Sequence, residues 1–363
     1  MGTSHFWERM APSLPRGPVV RSGPGGNPLP AAPGPHYGSA AMLAPALALL
    51  LAAAPAAAEP LSSTLENFPY PHPVRILPLA IEGQDLRMAY MDVPPAGAGN
   101  GKVVLLLHGK NFPGAYWAPT IEALAAAGYR VIVPDQIGFG RSAKADIHYS
   151  FELLAQSTRK LLEALGVAKV TAVGHSMGGM LAVRFALQHP EATERLVLEN
   201  PIGLEDYREK VPFTSVDATY RAMLTPTREG LERFYRSYFA TWRDAFGTWA
   251  DVAWRQTLGG EWPRVARSSA LTYDMIYTQP VVQDLPRIRV PTLLVIGQAD
   301  RTTPGRGSLP AEVLATLGRY PELGRRAAAA IPGARLVPLD GVGHIPHLEA
   351  PQAFQDALLD FLR

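Results

Sequence analysis

An apolar run, KVTAVGH (169–175), passes with no intervening loop into MGGMLAVRFALQH (177–189), whose apolar residues recur at helical spacing. The junction reads Gly174-His175-Ser176-Met177-Gly178, a G-x-S-x-G string. A strand that turns at once into a helix has no room for side chains two positions either side of the turn. Small residues there lift the serine hydroxyl above the sheet edge. The helix that follows brings its free N–H groups and the positive end of its dipole to the same point. Alone, G-x-S-x-G can be an inert glycine-rich turn; set between strand and helix, it points to Ser176 as a nucleophile.

The rest of the chain repeats the strand–helix alternation. VRILPLAI (74–81) and LRMAYMDV (86–93) read as two short antiparallel strands. KVVLLLHG (102–109), YRVIVPD (129–135), RLVLEN (195–200), PTLLVIG (291–297) and ARLVPL (334–339) are apolar runs of strand length. Helical spacing marks 116–128, 151–166 and about 351–362. Apolar strands alternating with helices predict an α/β fold: a doubly wound, mostly parallel eight-stranded sheet.

One stretch breaks the alternation. Residues 202–286 hold helical segments such as REGLERFYRSYFATWRDAF and no convincing strand. They carry 14 of the 31 aromatic residues in 85 positions, about twice their share, so the segment is rich enough in rings to wall an apolar pocket. The expected layout is therefore core 59–201, helical cap 202–286, and core again 287–363. Tyr273 and Tyr277, near the end of the cap, are pocket candidates, with Asp274 between them.

A nucleophilic serine needs a base and an acid. Asp300 follows strand PTLLVIG in GQADRTTP, and His344 follows strand ARLVPL in DGVGHIPHLE. The chain order Ser, Asp, His is the one this kind of sheet requires. His344 is expected to take the Ser176 proton, and Asp300 to fix the imidazole. Glu199, at the end of RLVLE, is the alternative acid. Arg301 is expected to pair with Asp300, and Asp135 to hold the glycine turn of DQIGFGRS. Oxyanion donors are expected from the backbone N–H of Met177 and of Lys110, in the loop HGKN (108–111). Asn111 and Phe112 follow as pocket candidates.

The formal net charge is +2, and Arg9, Arg16 and Arg21 against Glu8 account for all of it. No basic stripe suggests nucleic acid. With no cysteine, disulfides, thiolate metal sites and a cysteine nucleophile are excluded. His344 and His347 form an H-x-x-H pair, but glycine and proline interrupt any helix that would align them and no third ligand is near, so no metal is expected. No Walker loop or suitably placed G-x-G-x-x-G implies a nucleotide, and no cofactor is expected.

Residues 1–58 form a leader. Half of 11–38 is proline and glycine, a composition that reads as disordered. Ala40–Ala58 is nineteen residues without a polar side chain, and Leu43–Ala54 has the length of a signal-peptide apolar region. Ala56-Ala57-Ala58 offers a cleavage site before Glu59. The distant arginines suggest translation could equally start at Met42. Pro45, Pro55 and weakly apolar alanine argue against a stable membrane span. The expectation is export, to the periplasm or beyond, and a cytoplasmic location otherwise.

HGKN, DQIGFGRS, GHSMGG, GQADR and GHIPHLE, in that order, resemble the cap-bearing α/β-hydrolase superfamily over about residues 65–363. Dehalogenases and epoxide hydrolases of that superfamily use aspartate where this chain has Ser176. Its carbon–carbon bond hydrolases tend to have asparagine before the nucleophile and tryptophan after the histidine; here these are His175 and Ile345, more similar to esterases and cofactor-free haloperoxidases. GAYW (114–117) does resemble the carbon–carbon hydrolases. The resemblance implies a serine hydrolase acting on a small-molecule ester of small to medium, apolar character. Carbon–carbon hydrolysis, or haloperoxidase or perhydrolase activity, are the alternatives with the same residues. A non-catalytic binding protein on the same fold is the alternative of another class.

Overall fold

The computed structural model describes residues 58–363, so the leader expectations fall outside the described residues. Eight strands form one sheet: β1 (Val74–Ile81), β2 (Gln84–Val93), β3 (Val103–Leu107), β4 (Arg130–Pro134), β5 (Val170–His175), β6 (Thr193–Glu199), β7 (Thr292–Gly297) and β8 (Arg335–Leu339). Their spatial order is β1-β2-β4-β3-β5-β6-β7-β8. β1 and β2 are antiparallel to each other, and β2 to β4; from β4 to β8 every pairing is parallel.

The helices are α1 (Ala118–Ala126), α2 (Phe151–Ala164), α3 (Met177–Gln188), α4 (Val216–Met223), α5 (Arg228–Arg236), α6 (Gly247–Thr257), α7 (Trp262–Thr278), α8 (Ala311–Leu314), α9 (Tyr320–Ala330), α10 (Pro346–Glu349) and α11 (Pro351–Leu362). The inner strands are buried on both faces because their side chains alternate between two cores, while the edge strands β1 and β8 are largely half-buried or exposed. Leu105 and Leu107 of β3, with Leu294 and Ile296 of β7, join Leu154 of α2, Leu181 of α3 and Leu323 of α9. Val104 and Leu106, with Leu293 and Val295, join Ile121 of α1 and Leu358 of α11.

Between β6 and β7 the described chain is helical, as the sequence suggests, but REGLERFYRSYFATWRDAF is not one helix. α5 stops at Arg236, and the chain folds back so that Phe239 stacks on Phe246 at 4.0 Å. Leaving the helix also frees the Tyr238 carbonyl to accept a hydrogen bond from the His344 N–H. α9 has no counterpart in the sequence expectations. Its alanine run and Gly324 mute the apolar stripe, which shows only as buried Tyr320, Leu323 and Ala327. No helix among the described residues is long and apolar enough to cross a membrane.

Candidate active site

β5 runs into α3 through Ser176, whose backbone sits at φ 56°, ψ −119°. This is a conformation L-residues rarely adopt, and it costs on the order of 1–3 kcal/mol. The glycines beside it are sterically required. A Cβ on Gly174 would meet the Gly178 carbonyl oxygen at 2.1 Å, and one on Gly178 would meet that of Leu107 at 2.1 Å. The tight turn directs Ser176 Oγ toward His344.

Ser176 Oγ lies 2.9 Å from His344 Nε2, and His344 Nδ1 lies 2.7 Å from Asp300 Oδ2. All three side chains are buried. The contacts assign the tautomer: Nδ1–H donates to the carboxylate, leaving Nε2 to accept from the serine hydroxyl. Asp300 is held from two further sides, by Asn200 Nδ2 on Oδ2 at 2.8 Å and by the Thr302 N–H on Oδ1 at 2.8 Å. Asn200 Oδ1 in turn accepts from the Gly297 N–H at 2.9 Å, tying the end of β6 to the end of β7.

Glu199, the alternative acid, does not face His344. It is fully buried, and accepts from the His347 N–H at 2.7 Å while His347 Nδ1 lies 3.0 Å from both of its oxygens. Successive residues at the end of β6 turn to opposite sides: Glu199 to His347, Asn200 to Asp300. Burial pushes the Glu199 carboxyl up to about 7 and the His347 imidazole well below its usual range. The two histidines of H-x-x-H thus serve different carboxylates. Arg301 also departs from expectation: its guanidinium donates to the Asp300 backbone carbonyl at 2.8 Å, not to the carboxylate, whose oxygens are already engaged.

A second chain of hydrogen bonds backs the Ser176–His344–Asp300 contacts. His175 Nε2 lies 2.8 Å from the His344 carbonyl and must donate to it. Burial holds His175 neutral, so its Nδ1 accepts from the Tyr116 hydroxyl at 2.9 Å. Tyr116 accepts in turn from the Gly109 N–H at 2.9 Å. His108 donates through Nδ1 to the Gly109 carbonyl and accepts the Gln136 N–H on Nε2, which fixes the HGKN loop. Asp135 anchors the neighbouring turns, accepting from the Gly114 and Arg141 N–H groups and the Tyr70 hydroxyl. Neither Asn200 nor Tyr116 has a role assigned from the sequence: Tyr116 figures there only as part of GAYW, and Asn200 only as the last residue of RLVLEN, where its backbone proves to be left-handed at φ 38°.

Ser176 opens on a cavity of about 670 Å³, within the range of small-molecule sites. The HGKN loop forms one wall, and Lys110, Asn111 and Phe112 all line it. Met177, fully buried, begins α3, where N–H groups have no acceptor within the helix. Tyr273 lines the cavity with Trp262, Val265, Ser269 and Ile276, one face of α7 at intervals of three and four. Tyr277 does not: it has rotated off that face, and its hydroxyl donates to the Val211 carbonyl at 2.9 Å.

A mostly parallel sheet in this strand order, with a serine elbow after β5 and a histidine–carboxylate pair after β8 and β7, defines the α/β-hydrolase architecture. The chain belongs to the alpha/beta hydrolase fold family, whose model matches residues 102–351. Among solved structures, a "probable hydrolytic enzyme" from Pseudomonas aeruginosa PAO1 is 48% identical with a TM-score of 0.82, covering 84% of this chain and 99% of that one. An enol-lactonase from Burkholderia xenovorans LB400 is 25% identical with a TM-score of 0.59, covering 79% of this chain and 99% of that one. Among sequence relatives, 2-hydroxy-6-oxo-6-phenylhexa-2,4-dienoate hydrolase from Burkholderia cepacia is 28% identical over 275 residues, 73% of this chain and 89% of the relative.

Proposed function

We propose that this chain is a serine hydrolase that cleaves carboxylic esters through an acyl-enzyme on Ser176. The observation that carries the reading is the unbroken chain of contacts from Ser176 Oγ through His344 to Asp300, at 2.9 and 2.7 Å. As the serine oxygen attacks the ester carbon, its proton passes to His344 Nε2. Asp300 stabilises the imidazolium without taking its proton. The carbonyl oxygen, now an oxyanion, is received by the N–H groups of Met177 and Lys110. Collapse of the tetrahedral intermediate expels the alcohol, which takes the proton from His344. Water repeats the sequence on the acyl-enzyme, releasing the acid and restoring Ser176.

Residues 202–286 act in this reading as a cap, since α5 and α7 supply walls of the cavity into which Ser176 opens. Its apolar lining suits a small to medium acyl or alcohol group. Ser176→Ala is expected to lower turnover of nitrophenyl esters by several orders of magnitude while leaving the fold intact. Unchanged turnover in that variant overturns the proposal.

A second reading has one observation in its favour: the similarity to a dienoate hydrolase over 89% of that relative's length. On that reading the same serine, base and acid cleave a carbon–carbon bond next to a ketone. Comparing ester and vinylogous diketone substrates on the wild-type protein separates the two. We also propose that the leader directs export; a secreted or periplasmic chain beginning at Glu59 supports this, and a mature chain retaining residues 40–58 counts against it.

A further inference from the structure

We propose that Lys110 seats a carboxylate of the substrate, so that the natural ester carries an acid group as well as an apolar body. The word ester rests on the serine-hydrolase reading above; the anion rests on the cavity alone.

Four basic residues line the cavity, Lys110, Lys144, Arg233 and Arg306, and no aspartate or glutamate does. The four are not equivalent. Lys144 Nζ already donates to the Gly140 and Ser142 carbonyls at 2.7 and 2.8 Å, and so serves the turn that holds it. Arg233 and Arg306 are exposed, placed to draw anions toward the opening. Lys110 is different. It starts beside the nucleophile: a Cβ on its neighbour Gly109 would lie 3.2 Å from Ser176 Cβ. It ends on α7, where its ammonium has one hydrogen-bond partner among the described residues, the neutral hydroxyl of Ser269 at 2.7 Å.

An ammonium has three donors and a full charge. Placed in a largely apolar wall with a single neutral partner, it is undercompensated, and desolvation alone pushes Lys110 down to about 7. A carboxylate in the cavity would supply the missing counter-charge and accept one or two of the remaining ammonium hydrogens. The Ser269 hydroxyl, which accepts from Lys110, keeps its own hydrogen to donate to the same anion. One lysine and one hydroxyl match a single carboxylate; a phosphate dianion calls for more donors and is better met by clustered arginines. Loop residue and α7 residue together make the seat, so its position relative to Ser176 fixes how far the acid group stands from the scissile bond.

Two measurements on the full chain test this. Calorimetry with octanoate and octanamide, alike in size and different in charge, should give octanoate at least about tenfold tighter binding, the scale of one charge-assisted hydrogen bond. Lys110→Met should erase the difference and Lys110→Arg should keep part of it. Equal affinities in the wild type, or a preference that survives Lys110→Met, overturns the proposal. The second measurement is the ratio of kcat/KM for mono-4-nitrophenyl glutarate to that for 4-nitrophenyl valerate. The ratio should favour the glutarate and collapse in Lys110→Met, chiefly through KM. A variant that loses both activities in equal proportion, ratio unchanged, places Lys110 at the reacting atoms and overturns the seat. If neither ester is hydrolysed while octanoate still binds through Lys110, the hydrolase reading fails and the seat stands.

Discussion

Asn200 Nδ2 donates at 2.8 Å to Asp300 Oδ2, the same carboxylate oxygen that faces His344 Nδ1. The asparagine therefore limits where that oxygen can move, and through Gly297 it fixes the end of β7 that carries the acid. Asn200→Ala leaves one buried carboxylate contact and one buried N–H unmet. The expected result is a loss of about 1–3 kcal/mol in stability and a roughly ten- to hundredfold fall in kcat. Denaturant titration and steady-state kinetics on one ester measure both; wild-type kcat in the variant would count against the positioning role.

The elbow predicts a sharp contrast between glycines. An alanine at 178 meets the Leu107 backbone at 2.1 Å, where no rotamer change gives relief. Gly178→Ala should cost about 3 kcal/mol or more. Gly260→Ala, where a Cβ has nothing within 4 Å, should stay within about 0.5 kcal/mol of wild type. Urea melts of the two variants against wild type make the comparison.

Burial raises the Glu199 carboxyl from its ordinary value to about 7. The folded state therefore holds a proton that the unfolded chain has released across roughly pH 4.5 to 7. A group raised on folding stabilises fully below its unfolded value, and that contribution fades as pH climbs through the folded one. Wild type should lose stability relative to Glu199→Gln over this window, by about 1 kcal/mol per pH unit. His347, His175 and His108, all lowered by burial, act in the opposite sense below neutrality, so the difference between wild type and variant is the quantity to follow. Melts at several pH values would show it, and parallel curves for the two proteins would contradict it.

Where the sequence is informative, physics constrains the pattern tightly. A buried parallel strand must be a continuous apolar run, so the inner strands β3 to β7 are readable to within two residues. An elbow must have glycines beside its serine, so Ser176 is readable, and Asp300 and His344 follow from their places after β7 and β8. What is hidden depends on direction. Glu199 and Asn200 are neighbours in the chain, and only their orientations decide which one reaches Asp300. Tyr273 and Tyr277 are one helical turn apart on α7, yet only Tyr273 lines the cavity. α9 is missed because alanine packs against the sheet without writing a strong apolar stripe. The fold-back after Arg236 is missed because stacking of Phe239 on Phe246, a tertiary contact, overrides local helical preference.

The most direct test of the whole account is the reaction of the folded wild-type protein with a fluorophosphonate probe, with the adduct located by peptide mass spectrometry. The account predicts one modified residue, Ser176, with labelling lost in His344→Ala and in the heat-denatured protein. Folded wild-type protein that stays unmodified, or that carries the phosphonate on another residue, would contradict it.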